Sequence, residues 1–226
     1  MLEIIKTTDG SHTVFSQEYG SSYHSLHGAM NESMHVFIEH GLRHLAAQRK
    51  EIKVLEMGFG TGLNAWLALL EAEQLDLKLH YTAIEAYPVP LDLVAKLNYP
   101  GQLPAANGRQ HFEEIHAAAW GDWVEITPRF ALKKIEGKLE EVDFGAGFDL
   151  IFYDAFGPES QPELWEAPVM QRMFEALNPG GFLVTYCAKG AFRRALKEIG
   201  FMVEVLPGPP KKREMTRAGK EMSKVS

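Results

Sequence analysis

The sequence predicts an α/β fold built on a mainly parallel, doubly wound sheet, and three observations lead to this prediction. Short apolar runs alternate with helical stretches from Ile52 onward. Glycine occupies positions 58, 60 and 62, where the first of these runs passes into a helix. The composition, 226 residues of which 46% are hydrophobic, fits one large domain with a substantial core. Strands that alternate with helices imply right-handed crossovers and helices on both faces of the sheet.

The first fifty residues precede this alternation, and we expect them to form an extension. Asp9-Gly10 suits a tight turn between two short strands within residues 4–16. A helix is predicted to follow over residues 31–48, with Asn31 as its N-cap. The predicted organisation is therefore an N-terminal extension, residues 1–50, packed on a main domain, residues 51–226.

The elements of the main domain are predicted from their apolar patterns. The predicted strands cover residues 52–57, 77–85, 130–136, 148–154 and 181–187. The predicted helices lie near residues 62–73, 88–97, 162–177 and 190–199. Residues 98–128 are expected to be rich in loops.

Charge and targeting features limit the function classes. The net charge of −7 argues against a nucleic-acid partner, but residues 189–226 hold ten basic and four acidic side chains. This local excess indicates either an electrostatic footprint or a solvated chain end. No apolar run is long enough to span a membrane, the N-terminus lacks the features of a secretory signal, and Cys187 is the single cysteine. These features predict a cytoplasmic protein in which Cys187 serves as buried packing.

The three glycines stand where a nucleotide approaches the backbone in doubly wound folds. Ligands of such folds bind beyond the carboxyl ends of the strands, and the first strand-to-helix turn lies there. Glycine permits positive φ angles, and a side chain at Gly58 or Gly60 would hold a nucleotide away. The alternative is a glycine-rich turn without a ligand.

Two acidic residues indicate which nucleotide is bound. A dinucleotide fingerprint needs glycine at position 63, where this chain has Leu63. Glu85, near the end of the second predicted strand, is placed to accept hydrogen bonds from both hydroxyls of a ribose. Glu56, two residues before Gly58, would repel a pyrophosphate but attract the cationic sulfonium and ammonium groups of S-adenosyl-L-methionine. These residues favour an S-adenosyl-L-methionine-dependent methyltransferase.

Four segments resemble one methyltransferase family. They are DGSHTVFSQEYGSSYHSLHGAMNESMHVFIEHGL, VLEMGFGTGLNAWLAL, FDLIFYDAFGPESQPELW and KKREM, which together run from about residue 9 to about residue 217. They are similar to the methyltransferase domain of the MnmC family, which also exists as a stand-alone, MnmD-type enzyme. The resemblance implies a Rossmann-like, class I fold with a seven-stranded sheet and an N-terminal β-hairpin and helix.

The resemblance also implies an activity. It is methylation of the exocyclic amine of 5-aminomethyl-(2-thio)uridine at wobble position 34 of tRNA, giving 5-methylaminomethyl-2-thiouridine. The expected partner is the anticodon loop of tRNA. No segment here is long enough for the family's flavin domain, so we expect a separate FAD-dependent oxidoreductase to supply the aminomethyl substrate. Two alternatives stay open: a small-molecule amine methyltransferase or aminopropyltransferase with the same cofactor pocket, and a nucleotide-binding protein without activity.

The expected cofactor site combines the glycine turn with residues carried over from the family. Those residues are Tyr23, Ser25, Glu56, Gly58, Phe59, Gly60, Gly62, Asn64, Glu85, Ala86, Glu136, Gly137, Asp154 and Ala155. Two departures from the family pattern are present. Tyr153, Ala155 and Gly157 stand in a motif that is close to FLDGFAP in many fused enzymes. Glu136-Gly137 replaces the family's Gly-Asp pair after the third strand of the sheet.

Asp154, at the carboxyl end of the fourth predicted strand, is the candidate catalytic residue. Methyl transfer from a sulfonium is an in-line displacement, so the protein mainly has to align the reacting atoms. The acceptor is an alkylamine that is mostly protonated at neutral pH, and a carboxylate can hold the ammonium and take its proton. The alternative role of Asp154 is a cap for the helix near residue 162, but a cap would fall several residues later.

Aromatic and basic residues are candidates for binding the RNA. Phe156 and Trp165, with Tyr23, are predicted to stack on a splayed base, although each also suits packing. Lys211, Lys212 and Arg213 are predicted to face tRNA phosphates. No metal site is predicted, because the histidines lack carboxylate or cysteine partners at ligand spacing.

Overall fold

A computed structural model describes residues 1–222, which form two β-sheets and the helices that cover them. Lys224, one of the basic residues counted above, lies outside the described residues. The small sheet consists of β1 (Leu2–Lys6), β2 (His12–Ser16) and β3 (Ser21–Ser22), in that order. The large sheet consists of β4 (Glu51–Met57), β5 (Lys78–Glu85), β6 (Trp123–Thr127), β7 (Phe130–Glu136), β8 (Phe148–Tyr153), β9 (Leu177–Thr185), β10 (Met202–Pro207) and β11 (Glu214–Gly219).

Helices connect most of these strands. The first, α1, is a continuous helical segment made of an α-helix (Ala29–Ser33), a π-helix (Met34–Arg43) and a final α-helical turn (His44–Ala46). The others are α2 (Leu63–Leu75), α3 (Leu91–Val94), α4 (Tyr99–Gln102), α5 (Gly108–Ala117), α6 (Ala167–Ala176) and α7 (Gly190–Ile199). A 3-10 turn, Pro162–Trp165, precedes α6.

The large sheet confirms the predicted doubly wound α/β fold. Its strand order is β10-β11-β9-β8-β4-β5-β7-β6, and the pairs that involve β4, β5, β7, β8 and β9 with one another are parallel. The sheet has eight strands among the described residues, one more than the seven implied by resemblance. The additional strand is β6, an edge strand in the region predicted to be loops. Its residues are exposed or half-buried except Thr127, so its apolar alternation is weak.

Prolines explain two helices that are shorter than predicted. The helix expected near residues 88–97 is reduced to Leu91–Val94, with Pro90 as its N-cap. The helix expected over residues 162–177 is divided into the 3-10 turn and α6, each of which begins with a proline at its first or second position. Between them Glu166 is extended, with φ −78° and ψ 158°. Proline lacks an N–H donor, so it starts a helix more readily than it continues one.

The β1–β2 hairpin confirms the predicted turn at Asp9-Gly10. Side chains of the same turn also bind backbone N–H groups at the start of α1. The N-cap is Gly28 rather than the predicted Asn31. The Asn31 N–H donates to Asp9 Oδ2 at 3.0 Å, and the Met30 N–H donates to Ser11 Oγ at 3.2 Å. The prediction of Asn31 as the cap is wrong because side chains distant in sequence satisfy the free N–H groups at the start of α1.

The N-terminal extension shares one hydrophobic core with the large sheet. The Phe37 ring, on α1, lies 5.2 Å from the Phe152 ring on β8. Gly41 lets α1 approach the sheet closely, because a Cβ there would lie 3.1 Å from both Phe152 and Val184. Helices α6 and α7 cover the opposite face through a second buried cluster.

No helix within residues 1–222 combines the length and apolar character needed to cross a membrane.

Candidate active site

The candidate site lies at the point where the strand order of the large sheet reverses. Strand β4 is flanked by β8 and β5, so the segments that follow β4 and β8 meet at one edge. There the Asp154 N–H donates to Met57 O at 3.0 Å. A Cβ on Gly58 would lie 2.8 Å from Asp154 O. Doubly wound sheets bind ligands at this switch point, beyond the carboxyl ends of the strands.

The three glycines of the β4–α2 turn are all in the left-handed region. Gly58, Gly60 and Gly62 have φ of 88°, 50° and 70°. A Cβ on Gly60 would lie 2.9 Å from Tyr23 Cδ1, and one on Gly62 would lie 2.6 Å from His116 Nε2. Turn geometry and contacts within the protein therefore require glycine here, whether or not a nucleotide also approaches this backbone.

A cavity of about 290 Å³ opens above this turn. The predicted site residues that line it are Tyr23, Gly58, Gly60, Glu85, Ala86, Asp154, Ala155 and Phe156. The remaining lining residues were not predicted from the sequence: Tyr19, Met57, Ile84, Tyr87, Lys138, Leu139, Glu140, Gln161, Glu163 and Leu164. Several of these residues directly follow or precede predicted ones, and Tyr19 comes from the loop before β3, where no sequence pattern marks it.

The other predicted site residues do not line the cavity. They are Ser25, Glu56, Phe59, Gly62, Asn64, Glu136, Gly137, Trp165, Lys211, Lys212 and Arg213. Glu136 is exposed at the end of β7, and a Cβ on Gly137 would lie 2.5 Å from Val142 Cγ1. The chain reaches the cavity one residue later, through Lys138, Leu139 and Glu140. Phe59 is buried against His116 and Trp120.

Glu85 fixes the turn that it faces. Its Oε2 accepts a hydrogen bond from the Gly60 N–H at 2.8 Å, and its Oε1 accepts one from the Tyr87 N–H at 2.9 Å. Burial raises the pKa of Glu85, which these backbone hydrogen bonds oppose. Each carboxylate oxygen accepts more than one hydrogen bond, so Glu85 retains acceptor capacity toward the cavity.

Beside the turn, the buried side chains of Glu56 and Asn64 lie next to the half-buried Asp154. Asn64 Nδ2 donates to Asp154 Oδ2 at 2.8 Å. Asn64 Oδ1 and both carboxyl oxygens of Glu56 are buried without a partner at normal hydrogen-bond geometry, although Asn64 and the Tyr81 hydroxyl are close enough to Glu56 to oppose the rise of its pKa. Burial, and then the neighbouring charge of Asp154, raises the pKa of Glu56. Burial, and then the charge of Glu32, raises the pKa of Asp154. Carboxyl groups in this state gain from a cation that enters the site.

The cavity lining carries a negative charge that would also favour a cationic ligand. Four carboxyl side chains line the cavity, those of Glu85, Glu140, Asp154 and Glu163, against the single amine of Lys138. Such a lining disfavours a pyrophosphate and suits a ligand that carries a sulfonium and an ammonium. Together with the unpartnered oxygens of Glu56, it fits S-adenosyl-L-methionine.

Aromatic residues form one rim of the cavity. The Phe156 ring stacks on Tyr19, with ring centroids 4.7 Å apart, and contacts Tyr23 edge-on at 4.9 Å. Trp165 is 7% exposed and packs against Tyr153 and other rings of the core. Its Nε1–H donates to Phe156 O at 2.8 Å. Trp165 thus supports the Phe156 loop from below rather than presenting a face to the cavity.

The three basic residues before β11 point in different directions. Lys211 and Arg213 are exposed. Lys212 forms an ion pair with Glu32 of α1, and its Nζ lies 4.3 Å from the centre of the Tyr186 ring. No sequence pattern marks Glu32 or Tyr186, because both meet Lys212 only in the folded chain, and Glu32 lies 180 positions from it.

Fold, cavity and family comparison together define the class of this protein. A model of a family described as S-adenosyl-L-methionine-dependent methyltransferase matches residues 111–221. The chain is an S-adenosyl-L-methionine-dependent methyltransferase.

Comparison with individual proteins shows which methyltransferases this chain is similar to. The chain is 33% identical over 216 residues to the tRNA 5-methylaminomethyl-2-thiouridine biosynthesis bifunctional protein MnmC of Cupriavidus necator, an alignment that covers 90% of this chain and 32% of that protein. It is similar to the crystal structure of MnmC2 from Aquifex aeolicus, with a TM-score of 0.79 and 26% identity over 98% of this chain and 71% of that one. The chain belongs to the MnmC methyltransferase-domain family and spans about a third of the length of the curated relatives it matches.

Spermidine synthase from Thermotoga maritima shares the fold. The TM-score is 0.62 at 16% identity, and the match covers 99% of this chain and 70% of that one. At this identity the likeness concerns the fold alone.

Proposed function

We propose that this protein uses S-adenosyl-L-methionine to methylate the exocyclic amine of 5-aminomethyl-(2-thio)uridine at wobble position 34 of tRNA. The observation that carries the proposal is the half-buried carboxyl of Asp154, which lines an acidic cavity at the switch point of a methyltransferase fold. Membership of the MnmC methyltransferase-domain family supports the choice of substrate.

The cofactor is proposed to lie over the β4–α2 turn. Glu85 is the acceptor for the ribose hydroxyls, and Gly58, Gly60, Ala86 and Ala155 form the surrounding wall. When bound, the cofactor supplies a methyl group activated by attachment to a sulfonium. Glu56 and Asn64 lie beneath the wall, and their unpartnered oxygens support a role in stabilising a cationic ligand.

Asp154 is proposed to hold the acceptor and take its proton. An alkylammonium has no lone pair, so it must lose a proton before its nitrogen can accept a methyl group. Because burial raises the pKa of Asp154, its carboxylate is a stronger base than an exposed one. Asn64 fixes the carboxyl through the 2.8 Å hydrogen bond.

The RNA is proposed to enter from the aromatic rim. Phe156 is the candidate stacking surface for the target base, since bases in loops are commonly splayed out onto aromatic rings. Lys211 and Arg213 are exposed on either side of Lys212 and suit phosphates of the anticodon loop. The first 50 residues contribute Tyr23 to the cavity, which supports their role as an extension that completes the site.

Two further parts of the proposal follow from the substrate. We propose that an FAD-dependent oxidoreductase supplies the aminomethyl substrate, since the relatives of this chain are named as bifunctional proteins. We also propose that the protein acts in the cytoplasm, together with its tRNA substrates.

Transfer of a labelled methyl group tests the proposal. tRNA that carries 5-aminomethyl-2-thiouridine should accept label, whereas the same tRNA with unmodified uridine 34, putrescine and spermidine should not. Label in a polyamine and none in tRNA would favour the small-molecule alternative.

The variant Asp154→Asn tests the catalytic assignment. It should lower kcat by roughly 100-fold or more, the usual contribution of a general base, while S-adenosylhomocysteine still binds. Turnover at the wild-type rate would remove Asp154 from the mechanism and leave the substrate assignment intact.

A further inference from the structure

Glu32 and Lys212 form an ion pair next to the candidate site that the methylation reaction described so far does not use. The Glu32 side chain is 7% exposed, and its Oε1 accepts a hydrogen bond from the Ser25 N–H at 3.0 Å. Its Oε2 faces the Lys212 ammonium. A carboxylate this deeply buried needs a cation close by, because burial without one costs several kcal/mol.

Tyr186 connects this ion pair to the segment that carries Asp154. Its hydroxyl donates to Ala155 O at 2.7 Å, and its ring lies 4.3 Å from Lys212 Nζ. The Glu32 charge raises the pKa of Asp154, second to burial, while Lys212 lowers it. The two carboxyl groups and the ammonium therefore act on one another electrostatically.

The surroundings of the Lys212 ammonium are those of an alkylammonium binding site. They combine the buried Glu32 carboxylate with the face of the Tyr186 ring, whose hydroxyl donates to Ala155 O, the residue that follows Asp154. This combination recognises primary ammonium groups through ion pairing and a cation–π contact. The aminomethyl group of the proposed acceptor carries the same ammonium as a lysine side chain.

The Lys212 side chain is exposed enough to move away from Glu32. It lies in the loop between β10 and β11, and its side chain is 34% exposed, against 7% for Glu32. A flexible side chain at the surface can rotate into solvent while the buried carboxylate stays in place.

We propose that Glu32, Asp154 and the Tyr186 ring bind the ammonium group of the acceptor, and that Lys212 occupies this site until the acceptor enters. Exchange of one ammonium for another keeps the buried Glu32 carboxylate paired throughout. The displaced Lys212 becomes free to contact a phosphate of the bound RNA. This inference rests on the proposed function only in taking the acceptor to be an alkylamine.

Binding of a small amine tests the exchange without any methyl transfer. The protein, saturated with S-adenosylhomocysteine, is titrated with 5-aminomethyluridine, and with uridine as the matched probe that lacks the ammonium. If Lys212 occupies the site nine tenths of the time, Lys212→Met should bind 5-aminomethyluridine roughly tenfold more tightly than the wild type. Glu32→Gln should bind it more weakly than the wild type, and uridine should not distinguish the three proteins.

Lys189→Met is the matched control variant. It removes a surface lysine that forms an ion pair with Glu159. The Lys189 side chain is 46% exposed and that of Glu159 is 74% exposed. Its affinity for 5-aminomethyluridine should equal that of the wild type. Lys212→Ala repeats the test if Lys212→Met does not fold.

The opposite results would overturn the inference. Unchanged or weaker amine binding by the Lys212 variants, or no binding to any of the proteins, would contradict the ammonium site. The ion pair would then only stabilise the contact between α1 and the β10–β11 loop. Methyl transfer by the wild type to modified tRNA is measured separately. Its failure would refute the proposed function, whereas the amine affinities decide on the ammonium site.

Discussion

The buried imidazole of His24 predicts that this protein loses stability in mild acid. His24 lies in the Tyr23–Ser25 segment beside the cavity and is 7% exposed. Burial lowers its pKa from 6.5 to about 4, although the charges of Glu32 and Asp9 oppose this. The folded protein therefore favours the neutral ring, while the unfolded chain binds a proton below about pH 6.5. The resulting stability is present above pH 6.5 and is lost as the pH falls toward 4.

The size of this loss follows from the two pKa values. Between pH 7 and pH 5, His24 should remove about 2 kcal/mol from the free energy of unfolding. His116, whose pKa is also lowered to about 4, first by burial and then by Lys134, adds a similar loss. Urea denaturation of the wild type and His24→Gln at both pH values measures the His24 share.

The variant should show a pH-dependent loss about 2 kcal/mol smaller than the wild type, whatever its stability at pH 7. His27→Gln is the matched control, because His27 is exposed three residues away and should leave the difference between the two pH values unchanged. Equal losses in the wild type and His24→Gln would refute the reasoning.

Three further predictions concern the turn, the core and the rim. Gly62→Ala should lower the free energy of unfolding by about 1–3 kcal/mol, because its Cβ would lie 2.6 Å from His116 Nε2 at a φ of 70°. Gly101→Ala has open space around its Cβ and should change the free energy of unfolding little. Thermal melts of both variants test this difference. Burial lowers the pKa of Lys134 from 10.5 to about 8, so the wild type should gain up to about 3 kcal/mol of stability as the pH rises through this interval. Lys134→Met should lack that gain in urea denaturation, and an identical pH profile would contradict the assignment. Phe156→Leu should raise KM for tRNA roughly tenfold through the loss of base stacking, and an unchanged KM would remove Phe156 from the RNA site.

Sequence patterns located the centre of the candidate site because parallel strands impose its geometry. Glu85 and Asp154 each follow an apolar run, and the carboxyl ends of parallel strands lie at one edge of a sheet. The two residues accordingly line the same cavity, together with the glycine turn. Local patterns suffice where the fold fixes the position of a residue.

The parts that sequence reasoning missed depend on contacts between distant segments. The start of α1 is capped from the hairpin by Asp9, and the Glu32 ion pair comes from Lys212, near the other end of the chain. Trp165 has an aromatic side chain that could stack on a base, but neighbouring rings bury it. Tertiary packing decides such cases, and residue type or spacing carries no signal of it.

In our proposal, a sulfonium cofactor lies over the glycine turn with its reactive carbon directed at Asp154. A crystal structure of the protein with S-adenosylhomocysteine tests this most directly. We predict density in the cavity between Glu85 and Asp154, with the ribose hydroxyls on the Glu85 carboxylate and the sulfur facing Asp154. Density for the nucleoside at any other place on the protein, or a ribose that does not contact Glu85, would contradict the account.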